Sequence, residues 1–202
     1  MQTSILSSTI QVGKSQVYVL DTDTCSQELF NEELPTATLQ YARESFKSTK
    51  RQREWLGVRL LLKSVCGEQA QIGYTPTGAP MLINSNTQIS ISHSGSLVAL
   101  VFSDERIGLD IQMISDKPLR IKSHFLDETE EKLFGDNLDT LSAVKLWCAK
   151  EAVYKFLSIP ETPLIGGITL RNVDGKIEEI NHGLSIHFEH YRDAILAVAY
   201  QK

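Results

Sequence analysis

Lys145-Leu146-Trp147-Cys148-Ala149-Lys150-Glu151-Ala152-Val153-Tyr154-Lys155-Phe156 is the stretch around which the chain is read. It contains no Gly, Pro or Asn, and its length and composition predict a helix. Leu146, Trp147, Ala149, Ala152, Val153, Phe156 and Leu157 fall on nearly every side of that helix. A helix apolar all round is a buried one. Yet the stretch carries Lys150, Glu151 and Lys155, and buried charges are costly unless paired, hydrogen-bonded or metal-bound. Glu151 and Lys155 are four residues apart on one edge, so the plainest account is an internal i,i+4 ion pair.

A second polar pair in another buried-looking segment raises a functional alternative. Arg106-Ile107-Gly108-Leu109-Asp110-Ile111-Gln112-Met113 alternates like a half-buried strand, with Ile107, Leu109, Ile111 and Met113 on one face and Gly108, Asp110 and Gln112 on the other. Asp is depleted in strands, so Asp110 needs a reason to be there. Gly108 leaves room for something to approach the backbone.

Together the two segments resemble the 4′-phosphopantetheinyl transferase family. Ile107 to Gln112 looks like the family's G-[IV]-D-[IV]-E motif, and Trp147 to Lys155 like its W-x-x-K-E-A-x-x-K motif. Ile91-Ser92-His93-Ser94 resembles a third, the [IN]-S-H-S strand end. The three occur in order, at suitable spacing, and the resemblance spans the chain from about Lys47 onward. It is closest to the larger, surfactin-synthetase-type (Sfp-type) branch. It implies an α+β fold of two similar halves, residues 1–104 and 105–202, each a helix packed on a small, mainly antiparallel sheet. The second half carries the metal-site motifs.

Composition bounds the alternatives. The 202 residues are 42% hydrophobic and 22% charged, as in an ordinary globular protein, and are enough for one domain or two small ones. Cys25, Cys66 and Cys148 are far apart and form no metal-ligand spacing, which fits reduced thiols and a cytoplasmic setting. The N-terminus shows no basic-then-apolar leader pattern, and no apolar run is long enough to span a bilayer. A net charge of −5 argues against a general nucleic-acid binder. No G-x-x-x-x-G-K-[ST] loop is present, which argues against a P-loop nucleotide enzyme.

In chain order, two strands are expected between Thr3 and Asp21, a short helix at about Gln27–Leu34, and a helical stretch from Leu39 to Val65 broken near Ser48-Thr49. The stretch concentrates basic residues: Arg43, Lys47, Lys50, Arg51, Arg53, Arg59 and Lys63, opposed by Glu44 and Glu54. Most of these are read as a solvated face. The resemblance to the family's basic helix makes Arg53 a coenzyme A phosphate contact. Tyr74 to Pro80 is a loop by its Gly and Pro content and resembles the family's G-K-P segment along the nucleotide, here Gly78-Ala79-Pro80 without the Lys. A meander follows, Gln88–Ser92, Leu97–Phe102 and Ile107–Met113, with His93 and Ser92 read as phosphate contacts. His124 to Glu131 resembles the family's F-[FL]-S-x-x-E helix start, capped by Asp127 or Thr129. Strands are expected at Ile168–Val173, Ile177–Ile180, Leu184–Phe188 and Ala194–Tyr200, with His187 on the surface.

The implied reaction moves a 4′-phosphopantetheine arm from coenzyme A to a serine of an apo acyl or peptidyl carrier protein and releases 3′,5′-ADP. Phosphoryl transfer at a pyrophosphate needs charge neutralisation and positioning. Asp110 and Glu151 are the expected ligands of Mg2+ (or Mn2+), with Gln112 a third contact where the family usually has Glu. An amide oxygen can ligate a hard cation but adds no charge. Lys155 is expected on a phosphate, with Lys150 its neighbour, and Glu130 is the candidate general base. The larger branch is usually monomeric. The alternative is a homologue that kept the fold and binds coenzyme A or a carrier without catalysis.

Overall fold

A computed structural model describes residues 8–135 and 137–202. In chain order the elements are β1 (Ser8–Val12), β2 (Ser15–Asp21), α1 (Gln27–Glu33), α2 (Thr36–Ser45), α3 (Thr49–Cys66), β3 (Ile72–Tyr74), β4 (Pro80–Leu82), β5 (Gln88–Ser94), β6 (Leu97–Ser103), β7 (Ile107–Met113), α4 (Lys117–Arg120), α5 (Thr140–Leu157), β8 (Leu170–Val173), β9 (Lys176–Glu179), β10 (Leu184–Tyr191) and β11 (Ala194–Gln201). The part of the expected first strand at Thr3 to Ser7 lies outside the described residues. The expected break in the long helical stretch falls at Ser48, whose hydroxyl accepts from the Arg51 N–H and caps α3. Gly67 ends α3 at a φ of 85° that a side chain would resist.

The architecture is α+β, with paired strands running antiparallel. One sheet has the order β1-β2-β6-β5, the other β7-β11-β10-β9-β8, and β3 and β4 form a separate hairpin. The layers run α3, first sheet, second sheet, α5. Leu60 and Leu61 of α3 pack with Leu20, Val98 and Leu100 of the first sheet. The opposite face of that sheet, through Val17, Val19, Ala99 and Val101, packs on Leu109, Ile111, Leu196 and Val198 of the second. The far face of the second sheet receives α5 through Ala149, Ala152 and Val153. In each sheet the strand that precedes the long helix pairs with the last strand, β2 with β6 and β7 with β11.

β7 is therefore buried on both faces from Ile107 to Ile111, not on one. The partner that approaches Gly108 is α5: a Cβ there would lie 1.9 Å from the Ala152 carbonyl oxygen and 2.7 Å from the Phe156 nitrogen. Helix and strand backbones thus touch one residue-pair away from Asp110.

The edges of the two sheets meet at β5 and β7, and side chains make the joint. The Leu109, Ile111 and Met113 N–H groups donate to the hydroxyls of Ser90, Ser92 and Ser94 at 2.9, 3.1 and 3.0 Å. The offset is constant, so the two strands run parallel. Three orphan donors of a buried strand are satisfied this way.

Two local expectations change. The segment at Asp127 yields only a 3-10 turn, Glu130–Lys132, whose N-cap is Thr129 without a side-chain capping bond; just before it, Asp127 accepts from the Thr129 and Glu130 N–H groups. His187 is half-buried, not on the open surface. Its ring lies against Gly13 in the β1–β2 turn and stacks on Tyr200. A turn from the other half of the chain covers it, which alternation within β10 could not reveal.

Candidate functional site

Asp110, central in β7, is 2% exposed. Its Oδ1 accepts from the Ser92 hydroxyl at 2.7 Å and from Lys155 Nζ at 2.6 Å, and its Oδ2 accepts from Gln112 Nε2 at 2.8 Å. Lys155 also donates to Ser92 Oγ at 2.9 Å. The ion pair in the structure is thus Lys155 with Asp110; the i,i+4 pairing of Lys155 with Glu151 gives way to a carboxylate on the strand beneath. Glu151 shares the neighbourhood. Burial lifts its carboxyl above the usual carboxylate range, the charge of Asp110 adds to this, and Lys155 partly offsets it.

Lys155 links this cluster to a cavity of about 920 Å3 walled by α3, the β3–β4 hairpin, β5 and the C-terminal end of α5. Arg51, Arg59, His93, Arg106 and Lys155 bring positive or protonatable groups to the wall. The Arg59 guanidinium carbon lies over Trp55, 3.3 Å from the ring centre, and Arg59 donates to the Trp55 carbonyl at 3.1 Å. Burial depresses its guanidinium from the ordinary value, and it has no carboxylate partner among the described residues. His93 lies between Arg51 and Glu54. Arg51 can only donate, so the 2.6 Å contact makes His93 Nε2 the acceptor and places the ring proton on Nδ1, facing Glu54 Oε2 at 3.5 Å. Burial, with Arg51 and Lys155, holds this imidazole below its ordinary pKa against the opposing pull of Glu54 and Asp110. Gly78 and Pro80 lie on the hairpin wall, where Gly78 turns the chain at φ 83° and donates to the Thr75 carbonyl.

The sequence candidates separate into groups. Asp110, Gln112, Lys155 and Ser92 are joined by hydrogen bonds, with Glu151 close enough to feel their charges, and His93, Gly78 and Pro80 line the adjoining cavity. Ser92 is 4% exposed and turned to Asp110 and Lys155, not to the cavity. Arg53 is elsewhere: its guanidinium lies over Phe30 and donates to the Thr22 and Cys25 carbonyls, fastening α3 to the loop before α1. Glu130 and Lys150 find each other on another side of α5. Lys150 Nζ, fully buried, donates to Glu130 Oε2, Leu164 O and Ile168 O at 2.8, 2.6 and 2.9 Å. Glu130 also accepts from the Asp127 and Leu170 N–H groups. Its lone pairs are thus occupied in a dry ion pair.

Arg51, Glu54 and Arg59 also line the cavity, although the sequence reading left them among the solvated basic cluster. The signal was helical phase. Residues 51, 55, 58 and 59 share one face of α3, and 53 lies about 200° from 51.

The chemistry of the donor set suits a hard cation. Asp110 and Glu151 are two carboxylates near Lys155, which reaches the cationic wall of the cavity, and Mg2+ takes one or two carboxylates together with phosphate oxygens. Among the described residues no group of three or more His, Cys, Asp and Glu could hold a metal ion, so a cation here would rely on this pair. Gln112 presents its amide nitrogen, not its oxygen, to Asp110.

No family model matches the chain. A stretch of 93 residues is 30% identical to a Haemophilus influenzae protein described as a "putative 4'-phosphopantetheinyl transferase", over 43% of this chain and 40% of that protein. The chain thus matches less than half the length of this curated relative. Among the described residues no helix is long and apolar enough to cross a membrane, and Cys25, Cys66 and Cys148 are all free thiols.

Proposed function

We propose that this chain is a 4′-phosphopantetheinyl transferase of the larger, Sfp-type branch, moving the phosphopantetheine arm from coenzyme A to a serine of an apo acyl or peptidyl carrier protein. The observation that carries the reading is the ion pair of Asp110 with Lys155 across the close α5–β7 contact at Gly108, with Glu151 in its electrostatic neighbourhood and a cavity with a cationic wall beside it. The partial similarity to a protein of that description supports the superfamily. The shared three-strand order within the two sheets, β2-β6-β5 and β7-β11-β10, supports a duplicated fold, and with it a monomer.

Asp110 and Glu151 would hold Mg2+, which when bound supplies neutralisation of the pyrophosphate charge. Lys155, part-exposed at the cavity wall and paired with Asp110, is placed to hold a phosphate oxygen. Arg51 and Arg59 offer fixed charge along the same wall, with Arg59 held over the Trp55 ring. Glu130 and Lys150 are left out of the reacting groups, because their polar atoms are spent on each other and on backbone.

A second reading, binding without transfer, is favoured by one observation: the Gln112 amide donates to Asp110 Oδ2, occupying a lone pair that a metal could use. The two readings part on substitution. Asp110→Ala and Glu151→Ala each abolish labelling of an apo carrier protein by a fluorescent coenzyme A, with near-UV circular dichroism unchanged. Near-wild-type labelling by either variant removes the assignment.

A further inference from the structure

We infer that Ser92 is a positioning residue of the candidate site. It acts through Asp110 and Lys155 without touching a ligand, and this rests on the function proposed above. A serine hydroxyl has one hydrogen to give and two lone pairs to fill. All three places are taken: Ser92 donates to Asp110 Oδ1 at 2.7 Å and accepts from Lys155 Nζ at 2.9 Å and from the Ile111 N–H at 3.1 Å. The Ile111 bond is to the backbone of β7, the strand that carries Asp110, so the hydroxyl is pinned to a rigid element. From there it fixes one carboxylate oxygen and one ammonium at once. Asp110 Oδ1 receives both the hydroxyl and the ammonium, so its second oxygen, Oδ2, is the one turned to Gln112. The Ser92 side chain is buried and does not line the cavity.

The neighbouring serine supplies the control. Ser94 makes the same ladder bond, accepting from the Met113 N–H at 3.0 Å, but has no bond to Asp110 or Lys155 and does not line the cavity. A purely structural role for the ladder predicts similar consequences at both positions. A positioning role predicts that only Ser92 affects the chemistry.

The test compares wild type, Ser92→Ala and Ser94→Ala by electron paramagnetic resonance of Mn2+ binding with coenzyme A present, and by kcat and KM for carrier labelling. Groups that orient metal ligands typically matter roughly 10–100-fold in affinity or activity, and a loss in that range is expected for Ser92→Ala, in Mn2+ affinity and in kcat, with KM for coenzyme A little changed. Ser94→Ala keeps wild-type Mn2+ affinity and kcat. Should Ser92→Ala not fold, Ser92→Cys keeps the shape and weakens all three bonds, and it shows the same losses in smaller measure. Equal Mn2+ affinity in the Ser92 and Ser94 variants overturns the inference. Absence of transfer by wild type strikes the proposed function instead, and the Mn2+ comparison still decides the role of Ser92.

Discussion

Lys150 and Glu151 are neighbours in sequence, about 100° apart around α5, and the fold gives them opposite tasks. Lys150 closes a dry ion pair with Glu130 and donates to two backbone carbonyls, whereas Glu151 is held near Asp110 with its charged carboxylate disfavoured. Breaking one side of a buried pair leaves an uncompensated charge, so Lys150→Met should cost about 3–5 kcal/mol in urea unfolding. A Lys150→Met protein as stable as wild type would show that the pair holds nothing together. Glu151 goes the other way. Its folded-state pKa is raised above the unfolded value, so the folded state binds this proton more tightly, and stability falls as pH rises through the window above the ordinary glutamate value. In metal-free buffer, Glu151→Gln should therefore melt above wild type at about pH 8, and the difference should shrink as pH falls, vanishing below about pH 3, where both states are protonated. An unchanged difference across that range would remove burial and Asp110 as the cause.

At the scale of elements, the contact between α5 and β7 sets the site, and Gly108 sets the contact. An alanine there would drive its methyl into the Ala152 carbonyl, and backbone cannot move aside as a side-chain tip can. Gly108→Ala should cost about 3 kcal/mol, and it should impair cation binding because Asp110 and Glu151 separate. Gly73→Ala, whose added Cβ would meet only the flexible ends of Ile83 and Met81 at 3.4 Å or more, is the mild comparison. Thermal melts in which the two variants fall equally would contradict this. Both elements were legible in the sequence: the apolar girdle of Leu146 to Leu157 and the alternation of Ile107 to Met113 carry their own periodicities. The edge-to-edge joint of β5 and β7 was not, because the partners are nineteen residues apart and the bond is made by side chains. Its trace is the alternation Ser90, Ser92, Ser94, which reads equally as the polar face of an ordinary strand.

In the whole molecule, two sheets face each other, each backed by a long helix, and the cavity opens where α3 of the first half approaches the end of α5 of the second. Sequence could name the basic segment but not which of its residues face this cavity, since that depends on the phase of α3 against a half folded later in the chain. The structure separates Arg59 from Arg53, and calorimetry can as well. Arg59→Ala should weaken coenzyme A binding with modest loss of stability. Arg53→Ala should leave affinity near wild type and lower the melting temperature, because it releases the Thr22 and Cys25 carbonyls. The reverse pattern would place the ligand on the wrong side of α3. The central claim, that the Asp110–Glu151–Lys155 cluster and its cavity serve phosphopantetheine transfer, is tested most directly by intact-mass spectrometry of an apo carrier protein incubated with this protein, coenzyme A and Mg2+. The account predicts a gain of one phosphopantetheine arm on the carrier serine, lost when Mg2+ is chelated. Apo acyl and peptidyl carriers that all stay unmodified, under conditions where the protein is folded and binds coenzyme A, would contradict it.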